Sequence, residues 1–257
     1  MSKALITGAS GGIGEAYAQR LARRGFDLVL VARSAGKLET IAARLRAETG
    51  VGIETIAADL GKVDNLARVE ARLREDAAID TLVNNAGIAG EGPITSADPD
   101  YLSDMIDLNI VAVTRLATAI APRLAANGTG AIVNLTSVTA LMPAHFTSVY
   151  PATKAFVLAF SEALAAELGP KGVRVQAVLP GITRTAIWEE ERLSQFPAEM
   201  VMEVGEMVDA ALAGFDQGET ITMPSLPDKE DFDAFLSARD ALRPNLSHRK
   251  AAARYGL

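Results

Sequence analysis

"TGASGGIG" at 7–14 follows the aliphatic run "ALI" at 4–6 and opens into "IGEAYAQRLARRG" at 13–25. In that second stretch Ile13, Tyr17 and Leu21 recur every four residues, the period of one helix face, and Gly25 supplies the stop. Between a strand and a helix, a glycine-rich run becomes informative. Its glycines let the backbone turn sharply and approach a ligand closely, while free N–H groups and the helix dipole attract a pyrophosphate. The plainer alternative is an ordinary strand-to-helix turn. The position of the run on the first of a series of strands favours a nucleotide.

The same alternation continues outward along the chain. Short β-branched and aliphatic runs stand at 4–8, 27–33, 53–59, 80–87, 131–137, 173–181 and 220–224, separated by longer amphipathic segments. Runs of that kind are the material of parallel strands buried on both faces, joined by crossover helices. The expected fold is an α/β, Rossmann-type doubly wound sheet of about seven parallel strands with helices on both faces. One domain over 1–257 is expected, with an insert at about 182–205 that carries Ile187, Trp188, Phe196 and Met200 as a substrate lid. From 228 onward the chain reads as one helix and a basic tail, "SHRKAAARYGL" at 247–257.

Composition narrows the function. The 257 residues are 49% hydrophobic and carry a formal net charge of −7, which argues against nucleic acid and anionic membranes as partners. No cysteine is present, so disulfides and thiolate chemistry are excluded. The first strand-like run begins at Lys3, leaving no room for a cleavable signal, and Arg115 and Arg123 interrupt the longest apolar stretch. A cytoplasmic location is expected. Two histidines without cysteine make no metal-site pattern, so no metal is expected and His145 reads as a loop residue that could line a pocket.

Which nucleotide is expected follows from the strand ends. The second strand ends Ala32-Arg33-Ser34 with no carboxylate for a ribose 2′-OH, and Asp27 lies at its wrong end. Arg33 at the correct end suits a 2′-phosphate, although it could be a solvated surface residue. NADP(H) is therefore expected over NAD(H). Asp59 ends the third strand, where it could accept from an adenine amino group, and "NNAG" at 84–87 ends the fourth with residues small enough for close backbone approach. Turn chemistry would explain either equally well.

In "VYPATKAF" at 149–156, Tyr150 and Lys154 are four apart and share a helix face, and Pro151 is tolerated if it falls in the first turn. A phenol used as acid and base near neutrality needs its pKa lowered by about three units, and a nearby ammonium favours the phenolate. Ser137, ending the fifth strand, is a second donor to a carbonyl oxygen.

With these residues assembled, the chain resembles the classical short-chain dehydrogenases/reductases. The matching motifs are "TGASGGIG", "NNAG", the asparagine of "DLNIVAV" (Asn109), the serine of "IVNLTS" (Ser137), "YPATK" and "PGITRT" at 180–185, in order over 2–185. The resemblance implies that Tyr150 donates or accepts the proton, and that Lys154 lowers its pKa and holds the nicotinamide ribose. Ser137 would orient the substrate oxygen, and Asn109 would hold a water linking Lys154 to solvent. It places Gly8, Ser10, Gly12, Ile13 and Gly14 at the pyrophosphate, Arg33 and Ser34 at the 2′-phosphate, and Asp59 and Leu60 near the adenine. Asn85, Ala86 and Gly87 would border the cofactor, with Pro180, Gly181, Ile182 and Thr185 at the nicotinamide amide. Many NADP-preferring members carry a basic residue in the glycine loop where this chain has Ser10 and Gly11, so that preference rests on Arg33 with Ser34.

The implied activity is interconversion of a ketone or aldehyde with its alcohol, on an apolar or amphipathic substrate. The alternatives are an NAD-dependent sugar or hydroxy-acid dehydrogenase and a nucleotide-sensing protein without catalysis. The stripe Phe156, Phe160, Leu164, Leu168 reads as core. The resemblance adds that the corresponding helix often packs against its mate, implying a homodimer or homotetramer.

Overall fold

The computed structural model describes residues 2–90, 92–185 and 193–256. They form two compact units, 1–224 and 225–257.

In the first unit the aliphatic runs become β1 (Lys3–Thr7), β2 (Asp27–Ala32), β3 (Ile53–Ala57), β4 (Ile79–Asn84), β5 (Ala131–Leu135) and β6 (Arg174–Val178). Two short strands, β7 (Thr183–Arg184) and β8 (Met202–Glu203), pair with each other, and β9 (Ile221–Thr222) returns to the main sheet. Among the described residues that sheet has seven strands in the order β3-β2-β1-β4-β5-β6-β9, every pair parallel. Parallel strands need crossovers. These are α1 (Gly12–Arg23), α2 (Ala35–Thr49), α3 (Val63–Glu75), α4 (Pro99–Ile106), α5 (Val113–Asn127), α6 (Val149–Leu168) and α7 (Val204–Asp216). The expected doubly wound fold is the observed one.

Side-chain alternation divides the core in two. Ala4, Ile6, Leu28 and Leu30 pack with Tyr17, Leu21, Leu38 and Val208 from α1, α2 and α7. Their neighbours Leu5, Val29 and Val31 point the other way, onto Leu66, Val69, Leu116 and Ile120 from α3 and α5. Each such buried aliphatic side chain contributes roughly 1.5–3 kcal/mol. Strand order reverses between β1 and β4, which leaves a crevice at their carboxyl ends, the usual place for a ligand in such sheets.

Two features depart from the sequence reading. The run 99–127 is one continuous helix, because a π-turn (Asp107–Ala112) joins α4 to α5. By length and composition alone it could cross a membrane despite Arg115 and Arg123, but Leu116, Ala117, Ile120 and Leu124 are buried against the sheet. Along α6, Leu168 is core while Phe160 and Leu164 are only partly buried, and Phe156 is 40% exposed with its ring stacked 5.9 Å from that of Phe160. In the first turns of α6 the buried residues are Thr153, Lys154, Val157 and Leu158 rather than Phe156, so the stripe is core at its end and surface at its start.

The second unit holds α8 (Lys229–Asp240), where Phe232 stacks on Phe235 at 5.8 Å, followed by two single-turn 3-10 segments.

Candidate active site

At the crevice the backbones of three segments meet with no space to spare. Thr7 Oγ1 accepts from the N–H groups of Asn85 (2.9 Å) and Ala86 (3.0 Å), and Asn85 Nδ2 donates to the Thr7 carbonyl at 2.9 Å. Gly8 adopts φ +67°, a left-handed turn, and a Cβ on Gly14 would lie 2.4 Å from the Gly8 carbonyl oxygen. Beside them the chain is open. Nothing lies within 4 Å of where a Cβ on Gly11 would be, and Gly11 caps α1 with no side chain to occupy the first-turn N–H groups. That half-buried helix start, framed by Ser10 and Ile13, fits a pyrophosphate.

Arg33 and Ser34 are exposed just past β2, and the Arg33 guanidinium has no partner among the described residues. Arg23, Arg24 and Arg44, by contrast, are all ion-paired with carboxylates. Asp27 sits at the opposite end of β2, accepting from the Gly52 N–H at 2.7 Å. One Asp59 oxygen accepts from the Gly61 N–H at 3.1 Å, so the turn explanation holds for that oxygen. Leu60 is buried in the core, which leaves its backbone alone to border the crevice. The segment after β6 folds back over the loop: the Pro180 carbonyl accepts from Val138 N–H at 3.1 Å and that of Ile182 from Met202 N–H at 2.9 Å. Thr185 then lies 3.4 Å from where a Cβ on Gly12 would stand, with Gly181 just before a bend at Ile182.

Tyr150 and Pro151 fall in the first turn of α6, where a proline's missing N–H leaves no bond unmade. One turn on, Lys154 is 7% exposed, its Nζ 5.7 Å from the Tyr150 ring centroid and donating to the Leu135 carbonyl at 3.0 Å. Burial lowers its pKa to about 8. Ser137 is 8% exposed at the end of β5, extended at φ −169°, and its Oγ accepts from the Thr139 N–H at 3.2 Å. Asn109 lies in the π-turn, an irregularity often found at functional sites. Its Oδ1 accepts from Ile88 N–H (2.9 Å), and its Nδ2 donates to the Ile88 carbonyl (3.0 Å) and to Thr153 Oγ1 (3.1 Å). A Cβ on Gly87 would be 3.0 Å from Asn109 Oδ1 and 3.6 Å from Lys154 Nζ, so these three converge.

Sequence reasoning missed the hydrogen bonds that seat α6 on β5, from Asn134 to Ser161 and from Thr136 to Lys154. It also missed the π-turn, whose one hint is a buried asparagine inside an aliphatic helical run. His145 is exposed in a 3-10 turn. Ile187 and Trp188, which the sequence reading assigned to the lid, lie outside the described residues.

A parallel doubly wound sheet with a glycine loop at its switch point and a tyrosine–lysine turn beside it defines a Rossmann-type oxidoreductase. A family model for the short chain dehydrogenases matches residues 2–195, and the chain belongs to that family. It is similar over 99% of its length to a short-chain dehydrogenase from Sphingobium yanoikuyae in complex with NADPH, at 50% identity, TM-score 0.94 and 100% of that chain. A bulky-bulky ketone specific alcohol dehydrogenase from Comamonas testosteroni is 46% identical, with TM-score 0.92, over 99% of this chain and 98% of that one. The very-long-chain 3-oxoacyl-CoA reductase-B of Danio rerio is 37% identical over 188 residues, 72% of this chain. The match spans 60% of that curated relative's length.

Proposed function

We propose that this protein is a cytoplasmic NADP(H)-dependent oxidoreductase that interconverts a ketone or aldehyde and its alcohol. The observation that carries the reading is the buried Lys154, its Nζ 5.7 Å from the Tyr150 ring and donating to the carbonyl of Leu135, two residues before Ser137. NADPH, held at the glycine loop by the residues named above, would supply the hydride for the carbonyl carbon. Every other task falls to the chain.

Ser137 Oγ donates to the substrate carbonyl oxygen and holds it toward Tyr150, whose phenol passes its proton to that oxygen as negative charge develops there. For a phenol of ordinary pKa near ~10 to exchange protons at neutrality, the phenolate must be favoured by roughly 4 kcal/mol. Lys154 contributes because it stays mostly protonated at pH 7 with a pKa of about 8, and its burial keeps its charge poorly screened. Asn109 braces this turn through Thr153, whose Oγ1 donates to the Tyr150 carbonyl at 2.8 Å. Arg33, free of carboxylate partners, and Ser34 would hold the 2′-phosphate, which supports NADP(H) over NAD(H), as does the NADPH complex of the Sphingobium protein. Half-exposed Met142 and Phe146 between Ser137 and Tyr150, with exposed Phe196 and Met200 beyond Thr185, support an apolar carbonyl substrate with bulky substituents. The ketone preference in the Comamonas protein's name agrees with that class.

The test is the initial rate of NADPH oxidation with ketones and aldehydes graded in bulk, and a 3-oxoacyl-CoA included. Turnover of bulky apolar ketones is expected, and Tyr150→Phe is expected to lower kcat by about 10²–10⁴-fold. Full turnover by Tyr150→Phe would overturn the assignment of the proton donor. NADPH binding with no turnover of any compound would favour the nucleotide-sensing alternative.

A further inference from the structure

The end of β5 grips α6 at two heights. Asn134 Nδ2 donates to Ser161 Oγ at 2.9 Å, and Asn134 Oδ1 in turn accepts from Asn84 Nδ2 on β4 at 2.9 Å. Two residues later, on the same face of the strand, Thr136 Oγ1 donates to the Lys154 carbonyl oxygen at 2.7 Å. Ser161 and Lys154 are two turns apart on one face of α6. Strand and helix therefore run antiparallel, joined by one hydrogen bond deep in the layer and another beside the site.

The upper bond is unusual in what it joins. Thr136 is 4% exposed, and its own N–H donates to the Val178 carbonyl at 2.8 Å, so its backbone belongs to the sheet. The residue before it supplies the carbonyl that accepts the Lys154 ammonium, and the residue after it is Ser137. A carbonyl within a helix already accepts from the N–H four residues on, so Lys154 does not need Thr136 to satisfy that oxygen. A valine would fill the same volume with no buried donor to satisfy. The hydroxyl is therefore not explained by packing volume or by hydrogen-bond demand.

We propose that Thr136 is a positioning residue: its hydroxyl sets the distance between Ser137, its neighbour on the strand, and Tyr150, one turn before Lys154 on the helix. The proposal rests on the function given above for that pair. Small displacements at a reacting centre carry large consequences, of order 10²-fold for about 1 Å.

Thr136→Val is expected to bind NADPH in a fluorescence titration as the wild type does, while kcat falls about ten- to a hundredfold with a small change in KM. The acid limb of kcat/KM for alcohol oxidation should move to higher pH, because a looser turn couples the phenol less well to the ammonium. Amide hydrogen exchange in 149–155 should quicken while the sheet stays protected. Thr136→Ser should restore all of these. Ser161→Ala, which removes the lower bond, should reduce Tm yet leave the pH limb and the exchange of 149–155 unmoved. Wild-type kcat, pH limb and exchange in Thr136→Val would overturn the proposal, as would an equal shift of the pH limb in Ser161→Ala. If Thr136→Val loses NADPH binding through misfolding, Thr136→Cys keeps the shape with a weak donor and is judged on the same readouts. Failure of the functional reading would appear separately, as Tyr150→Phe with full turnover, and the exchange measurement would still decide for or against the positioning role.

Discussion

Lys154 shows how one residue can be set against the stability of its own fold. An unfolded chain keeps this proton up to about pH 10.5, whereas burial in the folded protein lowers the pKa to about 8. Between those values the unfolded state binds more protons, so this group's contribution rises with pH across the window and is least favourable below it. The difference is about 3 kcal/mol, partly offset by the bond to the Leu135 carbonyl. Lys154→Met is expected to have a higher Tm than the wild type at pH 7, by several degrees in calorimetry, with the gap closing between about pH 8 and 10.5 while turnover is lost. A lower Tm at pH 7 would mean that the Leu135 bond outweighs the burial. Arg33 poses a simpler question. Arg33→Ala should weaken NADPH binding by about tenfold or more, the worth of a charge-assisted phosphate contact, and leave NADH binding nearly unchanged in parallel titrations.

At the scale of elements, the start of α1 separates folding from binding within four residues. Gly14→Ala would push a Cβ to 2.4 Å from the Gly8 carbonyl, and backbone must move to relieve it. A loss of about 1–3 kcal/mol is expected, read as a Tm fall of about 2–4 °C per kcal/mol for a chain of this size. Gly11→Ala meets nothing within 4 Å and its φ of 163° is ordinary extended backbone. It should leave Tm unchanged and weaken NADPH binding, because the added methyl enters the space proposed for the pyrophosphate. Equal effects of the two substitutions on Tm would refute this division. The helix is anchored at its other end by Arg20 with Asp209 (2.9 Å) and Arg24 with Asp216 (2.8 Å), exposed pairs that orient α1 against α7 while each contributing about 0–1 kcal/mol.

For the whole molecule, the apolar residues left at the surface carry the expectation of a homo-oligomer. Phe156 on α6, Ile106 on α4 and Val111 in the π-turn are all exposed, on elements that touch one another. Exposed apolar side chains on adjoining elements suit an interface between copies. Light scattering after size exclusion should give a dimer or tetramer for the wild type and a smaller species for Phe156→Asp. A wild-type monomer would remove the expectation.

The amino-acid sequence by itself determined the strand and helix order, the nucleotide-loop context at 7–14 and the pairing of Tyr150 with Lys154. Each is a local property: short aliphatic runs alternating with amphipathic ones, a glycine run between a strand and a helix, or two residues one turn apart. Even the tolerance of Pro151 could be read, since a first-turn proline depends only on where its helix begins. Tertiary structure alone decided what surrounds those residues. Asn109 reaches Thr153 across 44 positions, Asn84 reaches Asn134 across 50, and Thr136 reaches Lys154 across 18. No periodicity within one segment encodes such a meeting. The same holds for the lowered pKa of Lys154 and the exposure of Phe156: both depend on where α6 comes to rest against β5, which is set by how whole layers pack.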